Sequence, residues 1–156
     1  MKMLKNILMM MAMLPAIFAT AQKQEPIADP TKWSYEAKKI NADEYEVTFK
    51  LTLENGWHIW SLNPGGDGYE IVPSFSFDRG VVEKSKVAEV GYAKTVQMEG
   101  VDNKVTYLSG NVIYRQVIAV KGKDKITGEH EYQVCNDNLC LPPKKLKFEI
   151  DLASVK

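Results

Sequence analysis

The residues best suited to covalent chemistry are Cys135 and Cys140, the only cysteines among 156 residues, with four residues between them. They stand in the run Tyr132-Gln133-Val134-Cys135-Asn136-Asp137-Asn138-Leu139-Cys140-Leu141-Pro142-Pro143, between a strand-like stretch and a Pro-Pro stop. Such a pair can be a staple, a metal clip or a redox couple. As a staple it closes a ring of about six residues, worth roughly 2 kcal/mol of chain entropy against about 4.7 for a 100-residue loop. A bridge that holds a sandwich together spans its two sheets, whereas this one spans only its own loop. Tight rings are prone to strain, and strained, exposed disulfides are the readily exchanged ones. Zinc wants four donors, and only His58 and His130 could join the two thiolates. His130 precedes Cys135 by five positions in an alternating run, so the pattern predicts it on the opposite face, solvated or at the core edge. The residues alone leave a redox couple and a local staple open, with a metal clip short of ligands.

The elements that must position the pair read almost wholly with a period of two. Tyr45, Val47, Phe49, Leu51 and Leu53 alternate with polar residues as a half-buried strand. Glu54-Asn55-Gly56 is a turn, and residues 57–62 (Trp-His-Ile-Trp-Ser-Leu) return as the next strand. Upstream, residues 33–40 predict a first strand. Residues 63–68 carry three glycines and a proline and predict a loop, and residues 71–77 and 81–90 give shorter strands. From residue 91 to 103 the alternation lapses, which predicts a long surface loop. Ser109-Gly110-Asn111 between two apolar runs predicts a hairpin. Residues 129–135 form the strand that delivers Cys135, and Leu146, Phe148, Ile150 and Leu152 alternate in the closing strand. Short strands with turns every eight to twelve residues, and no amphipathic helix, predict an all-β antiparallel sandwich.

Residues 1–21 read as a cleavable secretory signal. Lys2 and Lys5 give the basic start, residues 7–18 an apolar core, and Ala19-Thr20-Ala21 a cleavage site before Gln22. That core is shorter than the ~20 apolar residues needed to cross a bilayer. Residues 22–31, with Pro26 and Pro30, predict a flexible lead-in, and residues 32–156 one domain. Removing the signal leaves 18 basic against 20 acidic residues with the charges interspersed, so no basic stripe for nucleic acid or anionic lipid is present. No membrane span is expected after signal removal, and a monomer is expected. Export suits disulfide chemistry, because disulfides persist and are traded outside the cytoplasm.

The run Tyr132-Gln133-x-Cys135-x-Asp137-x-x-Cys140-x-Pro142-Pro143 resembles the active-site signature of the N-terminal periplasmic domain family of the thiol:disulfide interchange protein DsbD. Better-known members hold their cysteines one residue further apart, and the spacing here is similar to versions common in Bacteroidetes-like sequences. The likeness runs from about Trp33 to Leu152. It implies an immunoglobulin-like antiparallel β-sandwich, in agreement with the strand pattern, and a periplasmic interchange domain with no metal and no cofactor. It implies that Cys135 and Cys140 are the redox pair, with Cys140 linking to the partner and Cys135 resolving the mixed disulfide. Tyr132, Asp137, Pro142 and Pro143 flank the pair.

Gly56-Trp57-His58-Ile59-Trp60 matches the family segment that sets two aromatic residues beside the cysteines, which assigns His58 and Trp60 to those positions in place of tyrosines. A cap loop over the disulfide is expected within residues 92–98, from Tyr92 to Met98, with Met98 as the shield and Glu99 as the nearest acid. The resemblance implies electrons arriving from a thioredoxin-like domain or protein fed by a membrane reductase. They would leave for a periplasmic disulfide isomerase or a thioredoxin-like protein of cytochrome c maturation. The sequence contains neither a membrane domain nor a thioredoxin-like one, so both are expected as separate polypeptides. The competing expectation is a non-catalytic exported sandwich that uses Trp57 or Trp60 as contact residues, its disulfide serving only to rigidify a loop. A metal-binding module is a third.

Overall fold

The computed structural model describes residues 28–155. The expected signal, residues 1–21, and most of the expected lead-in lie outside the described residues. The described residues form ten strands: β1 Thr31–Lys39, β2 Glu44–Leu53, β3 His58–Gly65, β4 Ser74–Phe77, β5 Val81–Glu83, β6 Ala88–Val96, β7 Val105–Val120, β8 Lys125–Tyr132, β9 Val134–Cys135 and β10 Lys144–Asp151. A short 3₁₀ turn at Leu152–Ser154 follows, and the described residues contain no α-helix. Thr31, assigned above to the lead-in, already opens β1.

Seven strands make one sheet. Its path runs β1-β2-β7-β3-β9, with β5 and β6 also paired to β7. The remaining three, β10-β8-β4, make the second sheet. Alternation explains which face each strand buries. Val47, Phe49 and Leu51 of β2 are buried, and they meet Ile126 of β8 and Phe148 and Ile150 of β10 across the sandwich. The centre is aromatic: Phe49 lies 4.4 Å from Phe75 and 5.0 Å from Phe148 between ring centroids. Edge-to-face and tilted packing of this kind adds about 0.5–1.5 kcal/mol per pair to the burial itself.

Three sequence expectations need correction. Residues 104–120 do not form a hairpin around Ser109-Gly110-Asn111, because Val105–Val120 is one 16-residue strand. Leu108, Val112, Tyr114, Gln116, Ile118 and Val120 are all buried and all of one parity, so the inward face keeps its phase on either side of the exposed Gly110. Gly110, at φ 70°, marks the point where β3 ends as the neighbour of β7 and β2 takes over. Residues 91–103 are not one long loop either. Residues 91–96 belong to β6, paired to β7 with a register shift between Val90 and Tyr92, and only residues 97–103 remain outside a strand. Its pattern looked irregular because most of β6 is exposed.

His130 is the third correction. It is only 1 % exposed and sits inside the main core. Its ring centroid lies 4.3 Å from Trp33, and its Nε2 hydrogen-bonds the Tyr35 hydroxyl at 2.8 Å. Burial among these rings pushes its pKa down to about 4.

Candidate functional site

The two cysteines occupy a corner where the chain changes sheets. β8 belongs to the small sheet and ends at Tyr132, while β9 starts at Val134 in the large sheet. Gln133 makes the crossing, and its side-chain amide donates to the Leu141 carbonyl at 3.0 Å. The chain then folds back on itself as a minimal hairpin. Leu141 N–H donates to Val134 O at 2.9 Å, and Asn136 N–H donates to Leu139 O at 2.8 Å. Between these two hydrogen-bonded pairs, Cys135 and Cys140 face each other as a β-bridge. Their sulfurs are bonded, with Cα atoms 3.9 Å apart.

The turn is held by its own polar groups. Asn136 Oδ1 accepts from the backbone N–H groups of Asn138 and Leu139, at 2.8 and 2.9 Å. This is the Asx geometry for which Asn is favoured in turns. Leu141 is half-buried against the main core. Pro142 and Pro143, which have no N–H to donate, are exposed and lead the chain out to β10. Five hydrogen bonds, counting that from Gln133, and one apolar anchor thus shape the loop independently of the sulfur–sulfur bond.

The two sulfurs live in different surroundings. Cys135 is 2 % exposed, whereas Cys140 is open to solvent. β9 pairs with β3 so that His58 stands opposite Cys135 and Ile59 opposite Val134. Ile59 and Val134 face the main core. His58 and Cys135 therefore share the other face of the sheet, where alternation alone would predict solvent. Instead a second, smaller cluster forms there: Trp60, Val105 and Cys135 are buried together, with Val72, Val96, Val101 and Tyr107 packed against them. β3 is consequently buried on both faces from His58 to Ser61.

The segments covering this second cluster are tied together by Asp67. Its carboxylate accepts from Asp102 N–H at 2.8 Å and from Asn103 N–H at 3.1 Å. These bonds hold the acid below the usual carboxylate range.

Beside the cysteines lies an open cleft of about 330 Å³, lined in part by Trp57, His58, Tyr92, Lys94, Tyr107 and Asp137. His58 is 7 % exposed, stacks on Tyr107 at 4.2 Å and meets Trp60 edge-on at 5.4 Å. Burial lowers its pKa, and the Asp137 carboxylate partly opposes that shift. At neutral pH the imidazole is therefore uncharged.

The structure gathers His58, Trp60, Asp137 and Tyr92 around the pair, and Pro142 and Pro143 follow it directly. Tyr132 is close in sequence but belongs to the main core, its hydroxyl 2.9 Å from Thr31 Oγ1. Trp60 is 6 % exposed, so it offers no contact surface to a partner. Met98 is 39 % exposed and lies outside the cluster around Cys135, to which Val96 and Val101 of the same connection belong. Glu99 is exposed beside Met98. Tyr107 and Lys94 went unnoticed in the sequence. Their place follows from strand register, with Lys94 opposite Tyr107 and Tyr107 opposite Trp60.

A family model described as "Thiol:disulfide interchange protein DsbD, N-terminal" matches residues 23–152. Among solved structures, the N-terminal periplasmic domain of ScsB from Proteus mirabilis is similar with a TM-score of 0.60 at 15 % identity, covering 80 % of this chain and 47 % of that one. The chain thus spans about half the length of that structure. The DsbD N-terminal domain of Neisseria meningitidis in its reduced form is similar with a TM-score of 0.52 at 14 % identity, covering 76 % of this chain and 84 % of that one. At these identities the two likenesses speak for the fold alone. No curated protein matches the sequence.

Proposed function

The chain belongs to the DsbD N-terminal family of thiol:disulfide interchange proteins, and from that premise we propose that it carries electrons through the Cys135–Cys140 pair to disulfides of partner proteins in the periplasm. The observation that carries this reading is the asymmetry of the two sulfurs: Cys140 is exposed and Cys135 is buried. Disulfide exchange proceeds by in-line attack of a thiolate on one sulfur, so the reachable sulfur makes the intermolecular bond.

In the forward direction the thiolate of reduced Cys140 attacks a partner disulfide, and the displaced partner sulfur leaves as a thiolate. Cys135 then attacks Cys140 Sγ, which re-forms the internal disulfide and frees the second partner thiolate. Two electrons have moved from this chain to the partner. Reloading runs the same steps backward, with a thioredoxin-like dithiol attacking Cys140. The donor is such a thioredoxin-like domain or protein, itself fed by a membrane reductase. The acceptors are thioredoxin-like periplasmic proteins, either a disulfide isomerase or a protein of cytochrome c maturation.

The hairpin favours this over an inert staple, because its backbone and Asn136 hydrogen bonds are made by groups other than the sulfurs. The test is equilibration with glutathione buffers, followed by mixing with an oxidised thioredoxin-like protein. A potential above about −300 mV, with electron transfer that Cys140→Ala abolishes, supports the proposal. A lower potential with no transfer overturns it.

A further inference from the structure

His58 presents a buried nitrogen with nothing to bond to. Its Nε2 has no hydrogen-bond partner among the described residues, although the residue is 93 % buried. Buried polar atoms without partners are uncommon, and each one needs a physical explanation. Strand register supplies one. His58 is the cross-strand neighbour of Cys135, which sets their Cβ atoms about 4.5–5.5 Å apart on one face. In the disulfide the Cys135 sulfur carries no hydrogen. Once the bond is cleaved, the same sulfur becomes an S–H on the face of the sheet that also carries this imidazole.

Resting on the interchange reading above, we propose that His58 takes the proton from Cys135 when this buried thiol resolves a mixed disulfide on Cys140, with Asp137 steadying the imidazolium so formed. The proton and electron bookkeeping closes. Cys135 S–H gives its proton to His58, and the Cys135 thiolate forms a bond to Cys140 Sγ. The bond from Cys140 to the partner breaks, and the partner sulfur leaves with the electron pair as a thiolate. His58 then returns its proton to that thiolate or to solvent through the cleft. In the loading direction the same imidazolium protonates Cys135 as it leaves.

The surroundings suit this role. Only the thiolate is a competent nucleophile, and a thiol in apolar surroundings resists ionising. Cys135 is packed against Trp60 and Val105, so it needs a base within its own cluster. His58 is uncharged at neutral pH and is therefore free to accept. The groups facing it are Asp137 from the hairpin turn, Tyr107 and Ser109 from β7, Tyr92 and Lys94 from β6, and Cys135 itself. Asp137 is the one anion in this set, and its carboxylate favours the protonated imidazole.

The test follows the reduced chain as it reacts with an aromatic disulfide that releases a coloured thiolate. Attack by Cys140 releases the first equivalent, and resolution by Cys135 the second. His58→Phe keeps the ring stacked on Tyr107 but cannot accept a proton. It is expected to leave the first phase within about twofold and to slow the second on the order of 10²-fold, in the range general bases supply. The wild-type second phase should show a pH inflection below 6.5, absent from the variant. Asp137→Asn, on the exposed turn where folding is not at stake, should slow the second phase and move that inflection lower.

Equal second phases with unchanged pH profiles in His58→Phe and the wild type overturn the proposal. So does an equal slowing of both phases, which would make His58 a packing residue only. A wild-type chain that releases neither equivalent overturns the interchange reading itself, a result distinct from either of these.

Discussion

Reduction of the Cys135–Cys140 bond should lower the unfolding free energy by only about 2 kcal/mol. The figure follows from the ring of about six residues that the bond closes, whose loss of chain entropy in the unfolded state is small. Nothing in the folded hairpin adds to it. The bonds Leu141 N–H to Val134 O and Asn136 N–H to Leu139 O remain, as do the two backbone bonds to Asn136 Oδ1. By linkage, the preference of the folded chain for the oxidised form is the same quantity. About 2 kcal/mol corresponds to a potential about 45 mV more reducing than that of the pair in the unfolded chain, at 30 mV per 1.4 kcal/mol. Folding therefore leaves the pair within reach of ordinary thiol exchange. Urea denaturation of the oxidised and reduced chain, with m-values compared, measures the difference directly. Equal m-values and a gap near 2 kcal/mol are expected. A reduced chain that is unfolded, or a gap above about 4 kcal/mol, refutes the reasoning and makes the bond a structural staple.

Acid should weaken the fold through His130. Its folded pKa of about 4 lies below the ordinary value near 6.5, so the unfolded chain binds the proton first. The stability from keeping it neutral is complete above pH 6.5, falls as pH drops through that value, and is gone below about 4. The total is on the order of 3 kcal/mol at 1.36 kcal/mol per pKa unit. Urea midpoints at pH 7, 5.5 and 4.5 should show the decline, with a flatter profile for His130→Phe. In the reduced chain, iodoacetamide should modify Cys140 at least about tenfold faster than Cys135, because only Cys140 is exposed; peptide mapping over time reads this, and equal rates contradict it. Gly128→Ala should destabilise by about 1–3 kcal/mol or more, since a Cβ there would lie 2.1 Å from Ser76 O and 2.7 Å from Phe148 Cζ; thermal unfolding measures it.

The parts of the fold governed by local alternation could be read directly from the sequence. β2 is the clearest case, where Tyr45 to Leu53 bury the residues that the period of two selects. The placing of Cys135 at a strand end, with a loop and prolines after it, was equally open to reading, but the minimal hairpin that sets Cys135 against Cys140 was not. Long-range register could not be read in this way. The local pattern does not place His58 opposite Cys135, because β9 joins β3 only after the chain has crossed from the other sheet, and only the family resemblance set His58 beside the cysteines. The second cluster was hidden for a related reason. Alternation assigns one face of β3 to solvent, yet Val72, Val96 and Val101 come from distant segments to cover it. Continuous burial from His58 to Ser61 is the local trace of that cover, and the run Trp57-His58-Ile59-Trp60 carries it. β7 was misread because Ser-Gly-Asn imitates a turn, although Leu108 and the residues from Val112 to Val120 share one parity across Gly110 and argued for a single strand.

The central claim concerns which sulfur meets the partner. Reduced Cys135→Ser and Cys140→Ser variants, each mixed with an oxidised thioredoxin-like protein and resolved by mass under non-reducing conditions, test it directly. The account predicts a stable covalent adduct with Cys135→Ser, formed through the exposed Cys140, and little or none with Cys140→Ser. An adduct that forms only with Cys140→Ser, or with neither variant, contradicts it.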